Sequence, residues 1–255
     1  MNNDWYSRIP HQYARVRPRY PAALFDWLTQ QAPSTDLVWD VGTGSGQAAV
    51  PLADRFSTVY ATDGFAGPLV AAPPVDNITW AVEPGEQCSL RTNSADMITV
   101  AAALHWLNIE AFLPEVRRVL KPGGLLAAWT YSVAPRRDPV GDVFVHYAQT
   151  VLAQDWNKAI DNVLNGYQDI PLPGVPLSPP TFHATSMLSF ADTLDLMRTW
   201  SAAVAYTRRT GRDPVECIHD DLRTIWKEHV GALDAPHTLH WPMTVRAHRL
   251  PSTTG

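Results

Sequence analysis

Short apolar runs alternate with stretches of helical periodicity along the first half of the chain. Five runs have the length and composition of buried strands, at residues 37–41, 58–62, 78–82, 97–103 and 125–131. Apolar positions recur with helical spacing before the first run, at residues 21–33, and after it, at residues 47–55. Between the fourth and fifth runs, Phe112, Val116 and Val119 fall on one helical face. This alternation predicts an α/β protein with a mostly parallel sheet.

The pattern changes after the fifth run. Helical periodicity continues at residues 138–156 and 157–167, but residues 171–180 contain five prolines and are too broken for either regular element. The remaining predicted elements are, in order, a strand at 181–190, helices at 194–206 and 214–230, and a strand at 238–248. Because the two strands alternate apolar and polar residues, we expect them to form a final antiparallel pair.

The first predicted strand leads directly into a glycine-rich turn. Gly42, Gly44 and Gly46 alternate after the strand, and the helix at residues 47–55 follows. Glycine permits positive φ and a close backbone approach, and the helix start leaves unpaired N–H groups facing the same space. Such a turn can hold a small polar molecule, although any α/β protein can also need glycine there. A dinucleotide is disfavoured because its fingerprint requires glycine at the sixth position, where this chain has Gln47.

Composition and charge narrow the class of protein. The 255 residues are 45% hydrophobic, enough for one main domain. The net charge of −5 disfavours a nucleic-acid partner, and the arginine- and tyrosine-rich residues 5–20 end abruptly at Pro21. Cys88 and Cys217 lack metal-ligand spacing, so we expect neither a metal site nor a disulfide. With no apolar window of about 18 residues and no leader pattern, we expect a cytoplasmic protein without a membrane partner, and its oligomeric state stays open.

Several motifs together resemble the class I S-adenosylmethionine-dependent methyltransferases. They are the acidic residue and glycines of residues 40–46, Asp63 after the second strand, His105-Trp106 after the fourth, and Arg-Val-Leu-Lys-Pro-Gly-Gly at residues 118–124. Residues 13–21 are similar to the trans-aconitate methyltransferase-like branch. The resemblance implies a Rossmann-like fold with a mostly parallel seven-stranded sheet, helices on both faces and a helical insertion after strand five.

The same resemblance divides the chain into four parts. They are an N-terminal lid with the first helix at residues 1–33, a cofactor-binding core at 34–131, a substrate-covering insertion at 132–180 and a C-terminal part of the core at 181–255. In that branch the N-terminal segment folds over the cofactor. Tyr13 is therefore a candidate contact, with surface packing as its alternative.

The resemblance also assigns the cofactor contacts. In the family, the acidic side chain of the first motif bears on the methionine end of the cofactor, and the glycines pass close to it. Asp63 lies where the ribose binds, because two carboxylate oxygens can accept from two hydroxyls, although it could instead cap the residues after it. Glu86 and Gln87 occupy the place that meets adenine, with a solvated loop as the alternative. The predicted cofactor contacts are Tyr13, Asp40, Gly42, Gly44, Gly46, Asp63, Glu86, Gln87 and Ala101.

The segment after strand four supplies the candidate catalytic residue. His105 should face the crevice at the carboxyl ends of the strands, where it could deprotonate an acceptor or bond a backbone carbonyl. Arg198 could bind a substrate carboxylate or pair with Asp195 on its own helix. The predicted acceptor pocket comprises Trp106, Trp129, Tyr131, Arg198 and Trp200.

The resemblance implies methyl transfer from S-adenosylmethionine to a small-molecule acceptor, with S-adenosylhomocysteine as the product and no metal. We expect the acceptor atom to be an oxygen, of a carboxylate or a hydroxyl. Three alternatives stay open at this point. They are a lyase or cyclase that uses the sulfonium only for its charge, an N-methyltransferase of a small heterocycle, and a dinucleotide-dependent oxidoreductase.

Overall fold

The computed structural model describes residues 16–135 and 138–252, so the predicted contact Tyr13 lies outside the described residues. Eight strands form the sheet: β1 (Leu37–Val41), β2 (Thr58–Asp63), β3 (Ile78–Val82), β4 (Ala95–Ala101), β5 (Leu120–Tyr131), β6 (Val175–Pro176), β7 (His183–Leu188) and β8 (His237–Arg249). The order is β3-β2-β1-β4-β5-β8-β6, and β7 pairs with the first half of β8. The predicted mostly parallel sheet is confirmed, with the two-residue β6 added to its seven main strands.

Strands β1 to β5 run parallel, and β8 is antiparallel to β5. Six of the seven residues of β4 are buried, as are the last four of β1. Central parallel strands are mostly apolar because helices cover both of their faces. The strand order reverses between β1 and β4, and ligands bind beyond the carboxyl ends of the strands at such a reversal.

Nine α-helices occur among the described residues: α1 (Ala22–Gln31), α2 (Ala49–Ala53), α3 (Ala66–Leu69), α4 (Ile109–Val119), α5 (Pro139–His146), α6 (Ile160–Leu164), α7 (Phe190–Arg198), α8 (Ser201–Thr210) and α9 (His219–His229). Helices α1 and α2 cover one face of the sheet, and α4 covers the other. Helices α5, α7, α8 and α9 build a further cluster with β7 and β8. None of the helices described is long and apolar enough to cross a bilayer.

Among the parallel strands, β4 and β5 have bounds that differ from the prediction by two residues or more. Strand β4 begins and ends two residues earlier than expected, and β5 begins at Leu120 rather than at Leu125. Leu120 pairs with Ala95 and Leu125 pairs with Met97, so residues 121–124 bulge between the two pairs. The bulge has a structural role, because Lys121 Nζ lies 2.7 Å from an oxygen of the fully buried Asp96. An ion pair thus accounts for the lysine of the motif at residues 118–124.

The predicted helix at residues 194–206 is two helices. Ser189 and Asp192 form a capping box that starts α7, which ends at Arg198. Trp200 is extended, with φ −71° and ψ 140°, and α8 starts after it. The break turns the Trp200 ring toward Tyr147 and Trp156, with ring centroids 5.6 and 5.7 Å away. The packing of this ring therefore explains why the helix breaks although the apolar pattern continues. The proline-rich residues 171–180 also contain the short strand β6, which the pattern did not predict.

Candidate functional site

A cavity of about 460 Å³ opens at the carboxyl ends of the parallel strands. The glycine turn after β1, the end of β2, the loop after β3 and the end of β4 form its walls. We call it the main cavity. Its lining residues are Tyr20, Gly42, Thr43, Gly44, Ser45, Gln47, Ala48, Asp63, Gly64, Phe65, Pro68, Pro84, Gly85, Glu86, Ala101, Ala102, Ala103, Trp106, Leu107 and Tyr131. Pockets of about 300 to 1,000 Å³ suit small molecules and cofactors.

The three glycines of the turn are required for different reasons. All have positive φ, at 64°, 59° and 88°. A Cβ on Gly42 would lie 2.6 Å from the Cβ of Ala103, and one on Gly46 would lie 2.5 Å from the Trp80 ring. A Cβ on Gly44 would meet nothing within 4 Å. Packing and φ thus exclude side chains at Gly42 and Gly46, while φ alone disfavours one at Gly44. Gly46 packs on Trp80 and is not part of the lining.

Asp40 lies beneath the turn rather than in the cavity wall. Its side chain is fully buried, and its two oxygens accept from Thr43 Oγ1 at 2.6 Å and Thr99 Oγ1 at 2.7 Å. Burial raises the pKa of Asp40 to about 6, and the nearby negative charge of Asp63 adds to the rise. Thr43 lines the cavity, so its hydrogen bond to Asp40 fixes the orientation of a lining side chain from below.

Asp63 lines the main cavity and also accepts hydrogen bonds from two backbone N–H groups. One oxygen accepts from the Gly44 N–H at 3.0 Å, and the other accepts from the Phe65 N–H at 3.0 Å. The carboxylate therefore ties the glycine turn to the end of β2 while it lines the cavity. Each oxygen of a carboxylate has a second lone pair, so both can still accept from a ligand. Burial raises the pKa of Asp63.

The two candidate residues after β3, Glu86 and Gln87, differ in their position relative to the main cavity. Glu86 lines the main cavity, and its Oε1 accepts from the Asn108 N–H at 2.7 Å. Gln87 is exposed and does not line the cavity. Ala101 lines the main cavity. Tyr20 lines it as well. The prediction did not include Tyr20, although it belongs to residues 13–21, which carried the resemblance.

A second cavity of about 100 Å³ adjoins the first, and we call it the side pocket. It shares Ala102, Trp106 and Tyr131 with the main cavity, and Ala102 has an unusual left-handed φ of 51°. Three predicted acceptor residues, Trp106, Tyr131 and Trp200, line it. Its other lining residues are Arg17, His105, Thr130, Ser132, Val133, Trp156, Ile160, Val163 and Ser201.

Two predicted acceptor residues lie elsewhere. Trp129 is fully buried in the core, and Tyr20 packs edge-on against it at 5.5 Å between ring centroids. Its position in a strand that is covered on both faces explains why it reaches neither cavity. Arg198 lies on the surface, where it pairs with Asp195 at 3.1 Å and with Asp213 at 2.8 Å. The alternative of pairing within its own helix is therefore the observed one.

His105 lies in a short 3₁₀ turn, Leu104–Trp106, and lines the side pocket. Its Nδ1 lies 2.9 Å from the Tyr167 hydroxyl, so a side chain rather than a backbone carbonyl is the partner of this nitrogen. Burial lowers the pKa of His105 to about 4. The imidazole is therefore uncharged at neutral pH, and such a weak base is poorly suited to deprotonating an alcohol.

Sequence reasoning missed Arg17 and Tyr167 as site residues. Arg17 was noticed only as part of the arginine- and tyrosine-rich residues 5–20 and of the resemblance at residues 13–21, and nothing in the local pattern marks Tyr167. Tyr167 reaches His105 because Gly166 and Tyr167 both have left-handed φ, at 63° and 62°. A bulky residue in this region is an outlier that a periodic pattern does not indicate.

Comparison with known proteins agrees with this arrangement. A family model described as a methyltransferase domain matches residues 39–128. The solved structure of a candidate type II methyltransferase from Anaeromyxobacter dehalogenans is 37% identical, with a TM-score of 0.83, and the match covers 92% of this chain and 99% of that one. A candidate methyltransferase from Dictyostelium discoideum is 28% identical over 88% of this chain and 87% of its own.

The cofactor follows from the same relatives. A probable S-adenosylmethionine-dependent methyltransferase from Saccharomyces cerevisiae is 33% identical over 47% of this chain and 44% of its own. That match, the glycine turn and the main cavity all support S-adenosylmethionine as the methyl donor. The chain therefore belongs to the class I methyltransferase family, and S-adenosylmethionine is its cofactor.

Proposed function

We propose that this methyltransferase acts on an oxygen, of a carboxylate or a hydroxyl, in a small molecule. The observation that carries the proposal is the side pocket, which holds about 100 Å³ and shares a wall with the main cavity. Its aromatic lining of Trp106, Trp156 and Trp200 suits the apolar body of a small acceptor. The resemblance of residues 13–21 supports placing the chain in the trans-aconitate methyltransferase-like branch as part of the same proposal.

Under this proposal the main cavity holds the cofactor. Gly44 and Thr43, supported by Asp40, would contact its amino-acid end, because an open glycine and exposed N–H groups receive a polar ligand there. Asp63 would accept from the ribose hydroxyls with its remaining lone pairs. Glu86 would contact the adenine. The residues present fit the group, since each lines the cavity or supports a residue that does.

Methyl transfer requires the protein mainly to align the acceptor with the cofactor and to exclude water. When bound, S-adenosylmethionine offers a methyl group that an acceptor oxygen bonds as the methyl–sulfur bond breaks, with the electron pair left on sulfur. Trp106 and Tyr131 line both cavities, so they can hold the acceptor against the cofactor and keep water out.

The charges of the side pocket favour oxygen over an amine. No Asp or Glu is among its described lining residues, and Arg17 is. A protonated amine would meet no carboxylate among these lining residues, and it would have to lose a proton before its nitrogen could bond the methyl carbon. No observation favours the lyase or cyclase alternative.

Labelling tests the proposal. Purified protein is incubated with S-adenosylmethionine labelled in the methyl group and with a cell extract separated by ultrafiltration into small molecules and macromolecules. We expect the label in the small-molecule fraction, with fragmentation in the mass spectrometer placing it on oxygen. Label on protein or nucleic acid, or on nitrogen, would contradict the proposal. Heat-inactivated protein serves as the control.

Replacing Gly44 with alanine tests whether the glycine turn receives the cofactor. We expect the S-adenosylhomocysteine dissociation constant to rise about tenfold, because the new methyl group faces the cavity. The matched control is Gly211→Ala, since Gly211 also has positive φ and open space but ends α8 away from both cavities. Both variants should lose about 1 kcal/mol in the free energy of unfolding because of the strained φ. Calorimetric titration and urea unfolding measure the two effects, and equal affinity in both variants would count against this role.

A further inference from the structure

We propose that Trp156 determines how long an acceptor the side pocket takes, and that the ion pair of Arg209 with Asp155 holds Trp156 in position. The apolar part of the acceptor that enters the pocket is then limited to about four carbon atoms. The inference rests on the proposed function and deepens it by assigning the size of the acceptor and the residue that sets it.

The size of the side pocket is the first step. The pocket holds about 100 Å³. An apolar cavity of about 150 Å³ inside a well-packed protein binds benzene, which has six carbon atoms. In proportion, the side pocket has room for about four carbon atoms. The part of an acceptor that lies inside it is therefore smaller than an aromatic ring.

Trp156 belongs to the wall that limits this length. Trp106 and Tyr131 line both cavities, so the acceptor oxygen must lie next to them to reach the methyl group. Trp156 and Trp200 line the side pocket but not the main cavity, and their ring centroids are 5.7 Å apart. A chain that enters the side pocket from the acceptor oxygen therefore runs toward residues that line this pocket alone, and these two rings are the bulkiest of them.

The two rings differ in how deeply they are built into the core. Trp200 is buried and also packs on Phe144 and Tyr147, with ring centroids 5.9 and 5.6 Å away. Trp156 is only partly buried and packs against the edge of this cluster. Loss of the Trp156 indole therefore enlarges the pocket at a smaller cost in core packing than loss of the Trp200 indole.

Trp156 is held both by its own side chain and by the residue before it. Its Nε1 donates to the Ala148 carbonyl at 2.9 Å, within the π-helical segment Tyr147–Val151. The side chain of Asp155 is only 4% exposed, and its two oxygens accept from Arg209 Nε and Nη2 at 2.8 and 2.7 Å. Paired hydrogen bonds of this kind fix the geometry of both partners. The indole therefore stays in the wall while these contacts persist.

The ion pair joins the two segments that carry the rings. Arg209 lies on α8, which begins directly after Trp200, whereas Asp155 directly precedes Trp156. Because the Arg209 side chain is 44% exposed, solvent screens the pair, and it contributes little to stability. We therefore expect its loss to change the position of Trp156 more than the free energy of unfolding.

The first experiment measures how affinity depends on the length of a bound chain. The probes are straight-chain alcohols from ethanol to octan-1-ol, titrated with S-adenosylhomocysteine filling the main cavity and followed by saturation-transfer NMR. Each methylene group that the pocket buries should tighten binding about fourfold. In the unaltered protein we expect this gain to stop at about four carbon atoms. In Trp156→Ala we expect it to continue for at least about two more.

Further variants make the result specific. Trp156→Phe keeps a smaller ring and should shift the limit less than Trp156→Ala does. The matched control is Trp27→Ala, which removes another partly buried indole that packs on Phe182 outside both cavities and should leave the limit unchanged. Arg209→Met should admit longer alcohols, and Arg209→Lys should restore part of the limit. Calorimetric titration with S-adenosylhomocysteine shows that each variant is folded and holds the cofactor product.

The second experiment uses methyl transfer itself. The labelled cofactor and the small-molecule fraction of the extract are incubated with the unaltered protein, Trp156→Ala or Trp27→Ala. We expect Trp156→Ala to place at least about tenfold more label on acceptors with longer chains, identified by their masses. The unaltered protein and Trp27→Ala should give the same set of labelled products.

Three results would overturn the inference: a gain in affinity that continues through octan-1-ol in the unaltered protein, a limit that Trp156→Ala leaves unchanged or Trp27→Ala shifts equally, or no dependence of binding on chain length. An unchanged limit in Arg209→Met would overturn the positioning role of the ion pair. Failure of the proposed function is distinguishable, because it would appear as label on nitrogen or on macromolecules, whereas the length limit is read from binding.

Discussion

Replacing Asp63 with alanine is expected to weaken the binding of S-adenosylhomocysteine about 100-fold, as measured by calorimetric titration. Hydrogen bonds to a charged group contribute about 1.5 to 3 kcal/mol each, and about 1.4 kcal/mol corresponds to a tenfold change in affinity. The variant would lose its proposed contacts to the ribose and also the bond from the Gly44 N–H that ties the glycine turn to β2. The loss should therefore exceed that from Gly44→Ala.

Two further variants separate this effect from a loss of charge or of fold. Asp54→Ala removes an equal charge at an exposed position after α2, outside the cavity lining, and should bind the ligand as the unaltered protein does. Asp63→Asn keeps one accepting oxygen and should fall between the two. An Asp63→Ala protein that binds S-adenosylhomocysteine within about threefold of the unaltered protein would remove the ribose contact from the proposal.

Asp40 is expected to make the stability of the protein depend on pH in a direction opposite to that of an exposed, ion-paired carboxylate. Its pKa is raised from 3.8 to about 6, chiefly by burial. The folded protein therefore binds a proton more tightly than the unfolded chain does, and its free energy of unfolding falls as pH rises from about 4 to 6. A rise of that size corresponds to a free energy on the order of 3 kcal/mol, because one pKa unit is about 1.4 kcal/mol.

The variant Asp40→Asn isolates this contribution. Asparagine can still bond the hydroxyls of Thr43 and Thr99, because its amide both accepts and donates. Urea unfolding across this pH range should show the free energy of unfolding of the unaltered protein falling relative to that of Asp40→Asn. The control is Asp54→Asn, at an exposed carboxyl. Parallel pH curves for the unaltered protein and Asp40→Asn would show that Asp40 titrates normally in the fold.

Part of the lining of the main cavity could be predicted from the sequence, and particular residues show why. Gly42, Gly44 and Gly46 follow an apolar strand directly, so turn chemistry within a few residues indicated them. Asp63 ends the next strand, and parallel strands bring their carboxyl ends to one edge of the sheet. Asp40 lies next to this turn, but its position beneath Thr43 rather than in the wall depends on how deeply the turn packs.

The residues that line the side pocket were predicted less well from the sequence. Trp129 and Arg198 have suitable chemistry, but one lies in the core and the other on the surface. Trp200 reaches the side pocket only because the helical pattern breaks there and α8 begins anew. The aromatic composition indicated that rings would line a cavity but not which rings, because burial of a side chain depends on all the elements around it.

By itself the sequence determined the alternation of strands and helices, the glycine turn, and the carboxylate that faces it, because each is encoded in a short window by periodicity, φ preference and motif spacing. Only the tertiary structure decided the side pocket. Arg17, His105 and Tyr167 come from distant parts of the chain, and they meet because β8 clamps a left-handed turn beneath the 3₁₀ turn after β4. Contact between residues so far apart in sequence depends on long-range packing and on strained backbone conformations. Neither can be recognised from the periodicity of apolar and polar positions.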